Sequence, residues 1–263
     1  MDSIHYALYL IFVLSLGSFS GAYGYRWPKQ QALNWQKEAR LILDLPPKTT
    51  DSHSLSNYSH CPSCQHQLSV WDLIPIVSFV LLQRRCRYCQ QRISARYTII
   101  EVTHLITCAA LPFYIHDMHT LILNCLLISA LITASFIDFE HYLLPDECLL
   151  VAIICALLAQ LHSAQLSNHV LGAMIGFLTI YCLKTLYYRV RKQTGIGLGD
   201  AKLMAVLGAW LGILHLSDIL VCACILGILY TVSIKGHEVK FIAFGPFLTF
   251  SSIFLFYVKI LWQ

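Results

Sequence analysis

Charge is what this sequence has least of. Its 18 Lys and Arg and 14 Asp and Glu make up 12% of 263 residues, about half the share of an ordinary soluble domain. Apolar residues reach 57%. No single core in a chain of this length can hide that much apolar surface, so a soluble globular protein is excluded and lipid is the missing solvent. A basic amino-terminal segment is also lacking. Residues 1–5 carry an acid, and the basic residues follow the first apolar run. That argues against a cleaved signal peptide and predicts a retained anchor. There is no G-x-G-x-x-G after a strand, so no Rossmann-type donor site is predicted. The twelve histidines form no metal-ligand pattern.

What is present is apolar runs, eight of them. They cover 4–25, 97–115, 119–137, 148–167, 170–188, a divided run at 203–234, and 241–260. As one helix the 203–234 run would measure about 48 Å against a hydrocarbon core of about 30 Å. A hairpin near residues 215–218 is therefore expected. The reading is an all-α polytopic membrane protein of about eight transmembrane helices. It divides into a first helix at 1–25, a hydrophilic loop at 26–96 and a transmembrane bundle at 97–263.

Ten of the 18 basic residues lie between Arg26 and Arg96. Lys184, Arg189, Arg191 and Lys192 cluster after the fifth run, and Lys202, Lys235 and Lys240 fall in loops on the same side. Only Lys259 falls opposite. The positive-inside rule puts the long loop in the cytoplasm and both termini outside. Basic loops that alternate in step with the spans argue against a nucleic-acid surface.

Seven of the eleven cysteines lie in apolar runs, where Cys behaves as a small hydrophobe. The other four form Cys61-Pro-Ser-Cys64 and Cys86-Arg-Tyr-Cys89 in the cytoplasmic loop. Two C-x-x-C knuckles of this kind suit a tetrahedral zinc site, and a reducing compartment disfavours disulfides. Zinc is favoured over free or redox-active thiols. Four protein ligands leave no open position, so the role is structural. Residues 30–59 read as a partly ordered lead-in.

Acids beside spans are functional candidates because charge at membrane depth is costly. Glu101 lies just inside the second run, Asp138 ends the third, and Asp200 follows Gly197-Leu198-Gly199 ahead of the sixth. Two carboxylates at one membrane face can share a proton, one serving as base on a water while the other polarises a carbonyl. Gly197 and Gly199 let an extended substrate approach the backbone. The pairs Gly17 and Gly21, Gly172 and Gly176, and Gly208 and Gly212 read as faces for close helix packing.

Gly197-Leu198-Gly199-Asp200 with Lys202 resembles the G-x-G-D-x-K signature of type IV prepilin peptidases, which belong with the presenilin-like intramembrane aspartyl proteases. Asp138 through Leu144-Pro145-Asp146 resembles the family's first catalytic motif. Gly17-Ser18-Phe19, Arg26-Trp27-Pro28, the Ile74-Pro75-Ile76 region, the cysteine quartet, Ser94 to Glu101 and Phe244-Gly245-Pro246 follow the family order. The chain departs from the pattern at Gly21 in place of Asn, Thr98 in place of Pro, and Arg84 in place of Gly.

The resemblance implies a bifunctional enzyme of the bacterial inner membrane, with its active site at the cytoplasmic face. Such enzymes remove the basic leader of prepilins and pseudopilins and then N-methylate the new terminus with S-adenosylmethionine. It makes Asp138 and Asp200 catalytic, and gives Gly197, Gly199, Lys202 and Asp146 to substrate binding. Glu101 and Arg26 fall in the methyltransferase-associated region. An acidic rim of Asp138, Glu140, Asp146, Glu147 and Asp200 suits a cationic leader. Two alternatives stay open: a peptidase without methyl transfer, and a non-enzymatic assembly platform.

Overall fold

The computed structural model describes residues 3–46, 60–61, 63–161, 163–193, 195–233 and 242–262. Lys48, Lys235, Lys240, Phe241 and the latter part of the 30–59 lead-in lie outside the described residues. The chain is helical, with no strand among the described residues. It forms two compact units, residues 2–106 and residues 107–263.

The first unit begins with α1 (Ser3–Ile42), about 60 Å long and twice a hydrocarbon core. The expected end at residue 25 is overrun because Gln30, Ala32, Leu33, Gln36 and Lys37 are good helix formers. Pro28 lies inside this helix and is buried. It has no N–H for the carbonyl of Gly24, one turn back. Arg96 supplies the missing donor, with Nη2 2.9 Å from Gly24 O. A short 3-10 turn (Val70–Leu73) leads to α2 (Val77–Leu81), and α3 (Arg96–Cys108) runs on into the second unit. Within the first unit α1 meets α3 at glycines. A Cβ on Gly17 would stand 3.0 Å from Glu101 Cα, and one on Gly21 would stand 3.1 Å from the Tyr97 ring. A glycine where the family pattern has Asn is what lets that ring close on α1.

In the second unit α4 (Leu111–Tyr114) precedes α5 (Met118–His141), the most buried of the long apolar helices among the described residues. Asp117 caps α5 by accepting from Thr120 N–H at 2.8 Å. The helix stops where Tyr142 turns left-handed and donates its N–H to Asp138 O. Pro145 sets off α6 (Asp146–Ala159), with Asp146 and Glu147 in its first turn, where acids favour the helix dipole. Then come α7 (Leu166–Arg191), α8 (Leu198–Leu211), α9 (Leu216–Ser233) and α10 (Gly245–Leu261). The break inside 203–234 comes at Gly212, φ +87°, and the 3-10 turn Ile213–His215, slightly ahead of the expected hairpin.

Among the described residues four helices are long and apolar enough to cross a membrane: Ser3–Ile42, Met118–His141, Leu166–Arg191 and Ile213–Ser233 with its leading turn. The chain is an integral membrane protein on this ground. The other expected spans fall short by length. The helices α6 and α8 have 14 residues each, about 21 Å, and the run 97–115 is divided between α3 and α4.

Backbone contact holds α7 to α8. A Cβ on Gly208 would stand 2.2 Å from Gly172 O, and one on Gly176 would stand 2.5 Å from Met204 O. Lipid gives helices no hydrophobic reason to pair, so close van der Waals approach between small residues does the work. Polar links in the interior add to it: Trp210 Nε1 donates to Asn124 Oδ1 at 2.9 Å, and Ser135 Oγ to Thr249 Oγ1 at 2.7 Å.

Gly208→Val forces α7 and α8 apart and is expected to cost about 1–3 kcal/mol or more, the range for overpacking a filled interior. Gly227→Ala is the control, since its Cβ would meet Phe247 at an ordinary 3.9 Å. Thermal unfolding of both variants in one detergent checks this. Equal midpoints would refute the crossing.

Candidate active site

The last turn of α5 carries Asp138, only 6% exposed. Its neighbours in chain are Ile137, fully buried, and Phe139, exposed, so the side chain points inward by helical register. Oδ2 accepts the N–H of Gly245, the first residue of α10, at 3.0 Å. A Cβ at Gly245 would lie 2.6 Å from that oxygen, so only glycine fits. Pro246 follows it and starts the helix, where its missing N–H costs nothing.

The first turn of α8 carries Asp200, whose carboxylate turns back onto the backbone of Gly197. A Cβ on Gly197 would stand 3.2 Å from Asp200 Oδ2. Asp200 is near enough to act electrostatically on Asp138. Leu144 fills the space between the helix starts. A Cβ on Gly199 would meet its Cδ1 at 2.9 Å, and one on Gly245 would meet its Cδ2 at 3.5 Å. Two glycines, Gly199 and Gly245, thus bring α8 and α10 up to Leu144 in the turn after α5.

Lys202 and Asp146 find each other. Nζ lies 2.6 Å and 2.8 Å from the two Asp146 oxygens, tying α8 to the start of α6. The pair is exposed, so it fixes geometry more than it adds stability, by about 0–1 kcal/mol. His141 faces Glu140 at 3.7 Å. Gly245 and Leu144 did not emerge from the sequence as site residues. The signal available was the Gly-Pro at the start of an apolar run, which marks a helix start with free N–H groups.

In the first unit the two cysteine knuckles repeat one geometry. Cys61 N–H donates to His66 O at 2.9 Å, and Gln65 N–H to Cys61 O at 2.9 Å. Cys86 N–H donates to Gln91 O at 2.9 Å, and Gln90 N–H to Cys86 O at 3.0 Å. Gln65 and Gln90 are both left-handed, at φ 57° and 58°. The bridges His60–Gln67 and Arg85–Arg92 close the two turns alike. All four Sγ atoms lie within 4.8 Å of one another, and Cys61 and Cys89 are 3.8 Å apart. A tetrahedron with Zn–S bonds of about 2.3 Å has S···S edges of about 3.8 Å, so the quartet fits that ion. Burial works against the Cys61 thiolate, yet the N–H groups of Cys64 and Ser63 outweigh it and bring the thiol down to about 7. Arg84, where the family pattern has glycine, takes φ 63°, the left-handed conformation that favours glycine.

Glu101 is 7% exposed and accepts the N–H of Ile76 at 2.8 Å on Oε2. One turn on, His104 is fully buried, with Nδ1 2.8 Å from Ile100 O and Nε2 3.2 Å from Ser20 Oγ. Arg26 stands half-buried on α1, two residues past Gly24.

Comparison with known proteins covers both units. The model of the bacterial peptidase A24 N-terminal domain matches residues 11–115, which include the cysteine quartet and Glu101. The model of the type IV leader peptidase family matches residues 125–232, which include both aspartates. Proteins named prepilin leader peptidase/N-methyltransferase are similar over nearly the whole chain. That of Dichelobacter nodosus is 34% identical over 90% of this chain and 86% of its own. That of Neisseria gonorrhoeae is 33% identical over 92% and 87%, and that of Aeromonas salmonicida 31% over 98% and 91%. No solved structure matches significantly.

The cysteine geometry predicts about one equivalent of zinc per purified chain, held tightly enough to survive dialysis at pH 7. Cys86→Ser should lose it, because three thiolates and a hydroxyl no longer complete the tetrahedron. Elemental analysis of both proteins decides. A metal-free wild type, or an unchanged content in the variant, would refute the site.

Proposed function

The chain belongs to the type IV leader peptidase family, and on that premise we propose that it cleaves the short basic leader of prepilins and pseudopilins with Asp138 and Asp200. The reaction takes place at the cytoplasmic face of the bacterial inner membrane, and the same chain then N-methylates the new amino terminus. The observation that supports this reading is that Asp138, held by Gly245, and the first turn of α8 that carries Asp200 are brought together across Leu144, which packs on both Gly245 and Gly199.

One carboxylate takes a proton from a water, whose oxygen attacks the scissile carbonyl carbon. The other donates a hydrogen bond to the carbonyl oxygen as it gains charge. Collapse of the tetrahedral intermediate breaks the C–N bond, and a proton passes to the leaving amine. Gly245 holds Asp138 in place through its backbone N–H. Gly197 presents bare backbone beside Asp200, where an extended peptide can lie close, while Gly199 serves that approach indirectly by packing on Leu144. Glu140 and Glu147 add negative charge at this end, suited to a cationic leader, while the charge of Asp146 is met by Lys202. Lys202 keeps α6 and α8 in register through Asp146.

S-adenosylmethionine as methyl donor supplies an electrophilic methyl on a cationic sulfur. Glu101, a buried carboxylate held by Ile76, suits a cationic group and is the residue assigned to it, with Arg26 on the same unit's α1 the basic residue of the methyltransferase-associated region. Zinc in the cysteine quartet gives the 60–92 segment a fixed core. The membrane path of about eight spans adds α3 with α4, α6, α8 and α10 to the four long helices.

Purified enzyme in lipid, given a prepilin-like substrate and S-adenosylmethionine and followed by intact mass, tests the whole reading. Leader loss plus one methyl mass is expected. Asp138→Asn and Asp200→Asn should each slow cleavage by about 10²–10⁴-fold, while methylating a substrate already cut. Leader loss without the methyl mass means a peptidase alone. Undiminished cleavage by either variant sinks the catalytic assignment, and no reaction at all favours an assembly platform.

Gly245→Ala pushes a methyl into Asp138 Oδ2. It should abolish most cleavage while leaving zinc content and methylation of cut substrate intact. Normal cleavage by this variant would show that the Gly245 contact is not needed.

A further inference from the structure

We propose that residues 70–81, within the stretch expected to be cytoplasmic loop, form a foot that inserts into the headgroup and upper acyl layer of the bilayer that α1 crosses. The case rests on helix register inside the first unit. Arg26 is the first basic residue after the apolar half of α1 and marks the interface. Gly17 comes nine residues earlier, about 13 Å deeper. Its backbone packs on Glu101, whose Cα a Cβ on Gly17 would approach to 3.0 Å. The Glu101 side chain leans back toward the start of α3, as helical side chains do. The Ile76 amide it binds at 2.8 Å therefore lies on the order of 5–10 Å inside the plane of Arg26, the depth at which interfacial helices bury their apolar faces.

The residues that flank this anchor are apolar and uncovered by other described residues. Trp71 is 73% exposed, Val77 49%, Val80 64% and Leu81 76%. Val77, Val80 and Leu81 share one face of α2 by their i, i+3, i+4 spacing. In water such a patch is unfavourable, and at this depth lipid covers it. Tryptophan is the residue that prefers the headgroup level. Arg84 and Arg85, both exposed, follow at once and suit anionic headgroups.

The backbone at the anchor is strained in a way that fits. Ile76 has φ 60° and ψ −50°, a conformation that β-branched residues avoid and that persists only where surrounding contacts impose it. The hydrogen bond to Glu101 is the contact that turns the chain there.

The test compares intact, zinc-loaded enzyme with Trp71→Phe in vesicles of mixed phosphatidylcholine and phosphatidylglycerol. The difference between their emission spectra reports Trp71 alone, and the substituted side chain is exposed, so folding is not at stake. A blue-shifted Trp71 component is expected. It should lose at least about half its intensity when the acyl chains are brominated, as for interfacial burial, and should resist aqueous iodide. Quenching by iodide with indifference to bromine would place the segment in water and overturn the proposal. Resistance to both quenchers would mean protein covers the patch, which overturns it equally.

Discussion

The hydrogen bond from Gly245 N–H to Asp138 is the contact on which the second unit turns. A carboxylate at the end of a well-buried helix faces a large desolvation cost unless a donor meets it. The donor must come from a backbone, and the backbone must come close. That requirement fixes residue 245 as glycine, since any Cβ would strike the oxygen it serves. It also fixes where α10 begins, and with it the packing of Thr249 on Ser135 further down the same pair of helices. Gly199 and Leu144 extend the logic to α8, so the chemistry and the packing at this end rest on the same few bare backbones.

Much of this was legible in the sequence, because scarce things are informative there. Two acids at the ends of apolar runs, four cysteines in equal knuckles and glycines spaced by four all point to their roles without a structure. Gly17, Gly21, Gly172, Gly176 and Gly208 pack as their spacing suggested, with Gly172 and Gly208 in backbone contact, whereas Gly212 ends α8 at φ +87° instead of extending that face. What the sequence could not give is length and partner. Hydropathy marks 148–167 as a span, yet the helix ends at Ala159, because apolar composition does not say where a helix stops. Nor does it say which N–H meets which carboxylate. Asp138 and Gly245 are far apart in chain, and nothing local to either names the other.

The first unit shows how a departure from a family pattern can be read physically. Gly21 removes a side chain where the Tyr97 ring lies, so that exchange trades a polar group for closeness of α1 and α3. Arg84 is the opposite case. It keeps the left-handed turn ahead of Cys86 without glycine's freedom, at a backbone cost of order 1 kcal/mol. The second knuckle holds the same hydrogen bonds as the first regardless. The turn survives because the surrounding contacts determine it more strongly than the residue's own preference does.

The two buried carboxylates share a solution. Asp138 is met by Gly245, which precedes Pro246, and Glu101 is met by Ile76, which follows Pro75. In each case proline marks a helix start, where N–H groups have no partner inside the helix. A lone amide brings no net charge into lipid, so it is cheaper to bury than Lys or Arg. It also leaves the carboxylate unneutralised by a counter-ion, free to exchange a proton or to face a cation. An arginine in either place would hold the acid more firmly and take that freedom away. The pairing of an intramembrane acid with a proline-marked helix start elsewhere in the chain is thus a pattern that chemistry at membrane depth selects, whatever reaction the acid serves.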